Sequence, residues 1–248
     1  MAMKDKDDLN NIAERINDIF RKNTEPIILQ ININNKGNRD YNNVGLLSLF
    51  VVSRDLFKNS IKSLKKCDYY TTNILIRKVF ENSLVFIRLY DNNKLKEYFQ
   101  LCEDLKSNDS SFDKDTQKCK NCKFRDLANI AESRKHFAKI NQNISKQNLD
   151  LRYKVMCEYT HFNRIKIGQY KHHLKNFNMK KIDVWSYDLK THNETLVNII
   201  LAFENLIFAV EHVCKSKNGY NKKLFDNIYQ LVEKNRNEYK NVIPTQIN

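Results

Sequence analysis

Glycine and proline are nearly missing from this chain, at four and two of 248 residues. Sandwiches, barrels and doubly wound sheets turn often, and their turns draw on both residues. Their scarcity points to an all-helical protein in which Asn, Asp and Ser supply the caps and connections. The glycines stand at Gly37, Gly45, Gly168 and Gly219, too scattered for a Gly-rich phosphate loop or a dinucleotide fingerprint. No G-x-S-x-G elbow is present, so a hydrolase of that type has no motif to rest on. Long apolar runs are lacking too. Val44–Val52 is short, and Leu196–Val210 is interrupted by Asn198, Glu204 and Asn205, which argues against a membrane partner. Met1–Asn11 is charged throughout and unlike a signal peptide.

Cysteine is present without a framework. Cys67, Cys102, Cys119, Cys122, Cys157 and Cys214 show no disulfide spacing, so the expectation is a cytoplasmic protein with reduced thiols. Cys119-Lys120-Asn121-Cys122 is half a zinc knuckle. A structural site commonly needs a second close pair, and no further C-x2-C or H-x3-H exists. A zinc-stabilised interaction protein is therefore the weakest of three readings, and neither a metal nor a cofactor is assigned. His172 and His173 are adjacent, and neighbours on a helix point about 100° apart.

What is present is apolar periodicity. At 41% hydrophobic residues the chain can bury a sizeable core. Ile12, Ile16, Ile19 and Phe20 stripe a first helix from Asp7 to Lys22. Pro26 and the run Ile27–Ile33 break that period, and predict a short edge strand or extended arm. Further helices are expected over Asn42–Lys66, Tyr70–Tyr90, Leu95–Lys106, Phe124–Ile140, Leu149–Arg164, Glu194–Cys214 and Leu224–Lys240, some of them continuous with a neighbour. Phe177–Asn193 reads as irregular. The expected fold is an all-α bundle of six or seven helices. It divides into an N-terminal helix and arm, 1–41, and a bundle domain, 42–248, with a mobile loop at about 107–123.

The charge is uneven. From Arg152 to Lys181 there are eight Lys or Arg and one acid, Glu158, which is +7 of the chain's net +14. Ordinary surface mixes the signs, so such a block is where a phosphate-bearing partner is felt first. Composition tempers this: 32 of the 43 basic residues are Lys and 34 residues are Asn, and both share A/T-rich codons. Clustering is the better signal. Arg152, Lys154, Lys166, Lys171, His172 and Lys175 are the candidate nucleic-acid contacts.

Two constellations could carry chemistry. Tyr70–Tyr90 is apolar nearly all round, yet Arg77, Glu81 and Arg88 share one narrow sector of it together with Leu84. An exposed i,i+4 pair would be worth a few tenths of a kcal/mol. Charges on a buried helix are instead paired, and often belong to a site. On Leu149–Arg164, the residues Tyr153, Cys157, Thr160, His161 and Arg164 share a face. His161 can exchange protons near neutral pH and Arg164 can clamp a phosphate. A lone histidine is more often a satisfied core residue, but this one lies inside the basic block.

Taken together, Ile76-Arg77-Lys78-Val79-Phe80-Glu81 and Tyr153-Lys154-Val155-Met156-Cys157-Glu158-Tyr159-Thr160-His161 resemble an R-x3-E…Y-x2-L-S-x3-H pattern. It occurs in bacterial helical proteins of unknown function placed near the HEPN superfamily (higher eukaryotes and prokaryotes nucleotide-binding), beside abortive-infection proteins. The resemblance covers roughly Val44 to Arg164 and rests on Arg77, Glu81, Tyr153 and His161. Met156-Cys157 stands where the pattern has Leu-Ser. The resemblance implies a bundle that often forms homodimers, and a metal-independent ribonuclease in a toxin or antiphage system. The HEPN nuclease motif R-x4–6-H is missing, because the nearest spacings are Arg152-x8-His161 and Arg164-x7-His172.

The leading expectation is thus a protein that binds or cleaves RNA. His161 is its acid–base group, Arg77 and Arg164 its phosphate-stabilising cations, Glu81 the partner of Arg77, and Tyr153 a hydrogen-bond donor. Its rival is a non-catalytic module binding a nucleotide, RNA or protein, with the four anchors holding the core. A catalytic arrangement leaves Arg77 and His161 lining a cleft; a structural one buries both.

Overall fold

A computed structural model describes residues 2–32, 41–106, 123–141, 145–160 and 189–242. Among them are eight helices and no strands: α1 (Ala2–Asn32), α2 (Tyr41–Lys65), α3 (Tyr69–Asp91), α4 (Leu95–Lys106), α5 (Ile130–Ile140), α6 (Lys146–Thr160), α7 (Leu189–Cys214) and α8 (Lys222–Val242). A single helical turn at 123–127 precedes α5. The expected loop residues 107–122, including Cys119 and Cys122, lie outside the described residues, as do 161–188.

Asparagine and aspartate do the capping. The Asp68 carboxylate accepts the Thr71 N–H at 3.0 Å to start α3, and the Asn129 side chain accepts the Glu132 N–H at 3.2 Å to start α5. Where a glycine would ordinarily end a helix in the left-handed region, this chain uses Cys67 (φ 61°) after α2 and Asn93 (φ 55°) after α3. In each case the following amide turns back: Asp68 N–H reaches Ser63 O at 3.0 Å and Lys94 N–H reaches Leu89 O at 2.8 Å.

The extended arm expected after Lys22 is not found over the described part of it, because α1 continues through Pro26 to Asn32. Proline removes one donor from the ladder and crowds the preceding turn. That turn is reinforced by side chains: Asn23 Nδ2 donates to Ile19 O at 2.7 Å and Thr24 Oγ1 to Phe20 O at 2.9 Å. Ile27 and Ile31, one turn apart, are both fully buried. Burial of that pair, at about 1.5–3 kcal/mol per side chain, outweighs both the proline and the β-branched run.

The core is continuous from α1 to α8. Phe20, Phe50, Phe57 and Phe203 form its aromatic centre, with ring centroids 5.2–5.6 Å apart, tying α1, α2 and α7 together. α7 starts at Leu189, ahead of the expected boundary. It is long and apolar enough to cross a membrane by length and composition, but 72% of that apolar stretch is buried inside the bundle. α3 packs against α2 on one side and α7 on another. A buried polar seam fixes the α3–α7 register: Asn73 Nδ2 donates to Thr195 Oγ1 at 3.1 Å, Asn198 Nδ2 donates to Asn73 Oδ1 at 3.0 Å, and Tyr69 Oη meets His192 Nδ1 at 3.3 Å. At the other end of α3, Asp91 is shared by His136 of α5 (2.7 Å) and His212 of α7 (2.8 Å).

Candidate functional site

α3 and α6 bring three of the four anchor residues together. Arg77 Nε donates to Glu81 Oε1 at 2.7 Å, and its Nη2 donates to Tyr153 Oη at 3.2 Å. Tyr153 Oη donates in turn to the same Glu81 oxygen at 3.1 Å, closing a three-membered ring of hydrogen bonds. The i,i+4 spacing on α3 sets the first contact. The other two cross 76 and 72 residues of sequence. The Arg77 and Glu81 side chains keep 19% and 16% of their exposure, neither sealed in the core nor solvated.

Electrostatics locks the ring in one state. Burial works against the Arg77 charge, but the Glu81 hydrogen bond and charge more than offset it, and the guanidinium is raised above its ordinary value. Burial, and then the Glu81 carboxylate, push the Tyr153 phenol up to about 12. Tyr153 therefore stays protonated near neutrality. It can hold and orient, but it cannot take a proton as phenolate.

A fourth member was not foreseen. Arg134 of α5 lays its guanidinium 4.2 Å from the centre of the Tyr153 ring and pairs with Asp150 of α6 at 3.1 Å. Arg77 faces the same ring at 5.3 Å, and Phe80 stacks beside it at 6.4 Å. One tyrosine thus meets two arginines. A signal for Arg134 was present in the sequence, since it lies between Ile130 and Phe137 on the inward stripe of α5, where an arginine needs a partner.

Arg88, from the same sector of α3, does not join them. Its Nε donates to Ser133 Oγ at 3.0 Å, and its Nη2 donates to the carbonyls of Asp126 and Leu127, where it caps the turn at 123–127. Burial lowers its pKa from the ordinary arginine value. Its role is structural.

The remaining candidates divide. Arg152 lines a separate groove of about 890 Å³ between α6, α7 and α8, where Glu204, Glu211 and Arg236 also stand, so its surroundings mix both signs. Lys154 is exposed on α6. His161, Arg164, Lys166, Lys171, His172 and Lys175 lie outside the described residues; α6 ends at Thr160, one residue before His161. Among the described residues no group of three His, Cys, Asp or Glu side chains is placed to hold a metal ion.

Comparison with protein-family models, with curated proteins and with solved structures returns no match for this chain.

Proposed function

We propose that this chain is a HEPN-like helical protein that binds RNA and cleaves it without a metal ion. The observation that carries the reading is the ring of Arg77, Glu81 and Tyr153. Residues far apart in sequence, singled out by one short pattern, meet on the helix that leads into His161 and the basic block. Glu81 holds Arg77 at 2.7 Å, as a cation meant to meet a phosphate would need to be held. His161 takes the 2′-hydroxyl proton as that oxygen attacks phosphorus, and the imidazolium returns a proton to the departing 5′-oxygen. Arg77 and Arg164 stabilise the charge on the strained phosphate. Tyr153 serves as a positioning residue, because its hydroxyl proton goes to Glu81. The resemblance extends the reading to bacterial defence or a toxin system.

The test is incubation of purified protein with mixed single-stranded RNA, with and without EDTA, beside His161→Ala. Cleavage should survive EDTA and fall at least 100-fold in the variant. Absence of cleavage, or equal cleavage by the variant, removes the catalytic part of the proposal.

A non-catalytic module is favoured by a different aspect of the same ring. Glu81 Oε1 already accepts two donors, and the Tyr153 hydroxyl both donates and accepts. If the ring only braces α3 against α6, Tyr153→Phe lowers stability by about 1–2 kcal/mol and leaves RNA affinity unchanged. If it belongs to the phosphate site, affinity or cleavage falls as well.

A further inference from the structure

α6 packs on α3 and α5, and α8 packs on α1 and α7. Among the described residues the two therefore leave a stripe of α7 uncovered between them, and the space is the groove of about 890 Å³, within the ~300–1,000 Å³ range of small-molecule sites. Its floor is apolar. Val197, Leu201 and Phe208 follow one another along α7 over roughly 16 Å of helix. Leu151 of α6 adds an apolar wall and keeps 56% of its exposure. A lone exposed leucine is ordinary, but one that lines the same groove as an apolar stripe extends a continuous apolar surface.

The buried acids of the groove are already answered. Arg236 pairs with Glu204, and Glu211 accepts from the Tyr229 hydroxyl at 2.9 Å and pairs with Lys215 at 3.1 Å. At the exposed rim the charges of Lys222 and Asp226 offset each other. Two groups are left over, and both are donors. Among the described residues the half-buried Arg152 guanidinium makes no hydrogen bond or ion pair. Asn205 is 2% exposed, and its Nδ2 is sealed from solvent without an acceptor. Such an orphaned donor costs about 1–3 kcal/mol. Asn205 lies one turn from both Leu201 and Phe208, so its amide stands at the edge of the apolar floor.

We propose that this groove binds a free long-chain fatty acid, its alkyl chain lying on Val197, Leu201 and Phe208 beside Leu151 and its carboxylate meeting Arg152 and the Asn205 amide. The occupant has to bring apolar length and acceptor oxygens together, because the unanswered groups are donors beside an apolar floor. A polyanion has no apolar body to cover that floor. An alkyl cation would meet Arg152 as a like charge and leave Asn205 without an acceptor. The proposal stands apart from the RNA reading: it uses neither the Arg77 ring nor His161, and of the candidate nucleic-acid contacts it takes Arg152 alone.

Binding of monomeric dodecanoate is measured by calorimetry on the full chain, beside dodecyltrimethylammonium, for the wild type, Arg152→Gln, Asn205→Leu and Leu151→Glu. Arg152 and Leu151 are not core residues, and the Asn205 side chain makes no hydrogen bond that leucine would break. Circular dichroism with thermal melting verifies that each variant folds. Dodecanoate should bind saturably at one site, and about tenfold more weakly to Arg152→Gln and to Asn205→Leu. Leu151→Glu sets a carboxylate in the apolar wall and should abolish binding. The alkylammonium should not bind. Absence of saturable dodecanoate binding, equal binding of the alkylammonium, or affinity unchanged in any of the three variants overturns the proposal. So does binding to phospholipid vesicles but not to monomeric dodecanoate, which would make the acyl source a membrane. A dimer in sedimentation that Leu151→Glu dissociates and dodecanoate leaves intact would assign the groove to a second copy of the chain, and overturns it too.

Discussion

His192 shows how strongly one position can tie stability to pH. It is fully buried at the start of α7, with Nδ1 3.3 Å from the Tyr69 hydroxyl. Burial, and then the Lys6 charge, lower its pKa from 6.5 to about 4. Between those values the unfolded chain carries the proton and the folded chain does not, so stability rises with pH across the window. The contribution is complete above about pH 6.5 and is lost as the pH falls towards 4. Its size is roughly 3 kcal/mol. Denaturant midpoints at pH 7 and pH 4.5 should therefore differ more for the wild type than for His192→Gln, which has nothing to protonate there. Equal differences would mean that the imidazole is solvated. The arginines make a related point. Arg77, Arg88 and Arg134 are alike in composition, but only Arg77 and Arg134 share a tyrosine, while Arg88 secures the carbonyls of a turn.

At the scale of the element, what could be read early was what a helix writes into its own sequence. Tyr70–Tyr90 was expected, α3 spans Tyr69–Asp91, and the Arg77–Glu81 pair follows from i,i+4 geometry. What could not be read depends on neighbours. Ile27–Ile31 looks extended until α1 is packed, and Arg88 looks like a third site residue until the turn at 123–127 comes beneath it. Arg134 carries a signal in its place on the inward stripe of α5, but that its partner is Tyr153 does not follow from it, because Tyr153 arrives from another helix. The polar seam between α3 and α7 is of the same kind. Asn73, Thr195 and Asn198 would count against a buried helix in isolation, yet all three are buried and joined across the interface. Asn73→Ala strips Thr195 and Asn198 of a partner together, and should cost about 2–3 kcal/mol in chemical denaturation. Lys58→Ala, exposed on α2, serves as a neutral reference. A loss under 0.5 kcal/mol would show that water replaces the seam at no cost.

For the molecule as a whole the question is whether +14 is a binding surface or a by-product of a Lys-rich composition. Part of the described surface answers for composition, because several of its lysines stand beside carboxylates: Lys65 pairs with Glu14, Lys94 with Glu97, and Lys215 with Glu211. The exposed pairs of Lys65 and Lys94 add little stability, but all three pairs cancel part of the field a polyanion would meet. The stretch from Arg152 to Lys181 has one acid against eight bases, so within it most of the field survives. Salt separates the two cases. Each phosphate contact on a single strand lowers the slope of log affinity against log salt by about 0.7. Replacing Lys166, Lys171 and Lys175 with Ala should make the slope for single-stranded RNA shallower by about 2. The same change at Lys65, Lys94 and Lys215 should barely move it, because each of those charges is already answered within the fold. If both triple variants shift the slope equally, attraction is spread over the molecule, and the block has no special claim to the RNA. A shift confined to the first variant makes the block a local contact surface, one that begins on the helix that carries Tyr153.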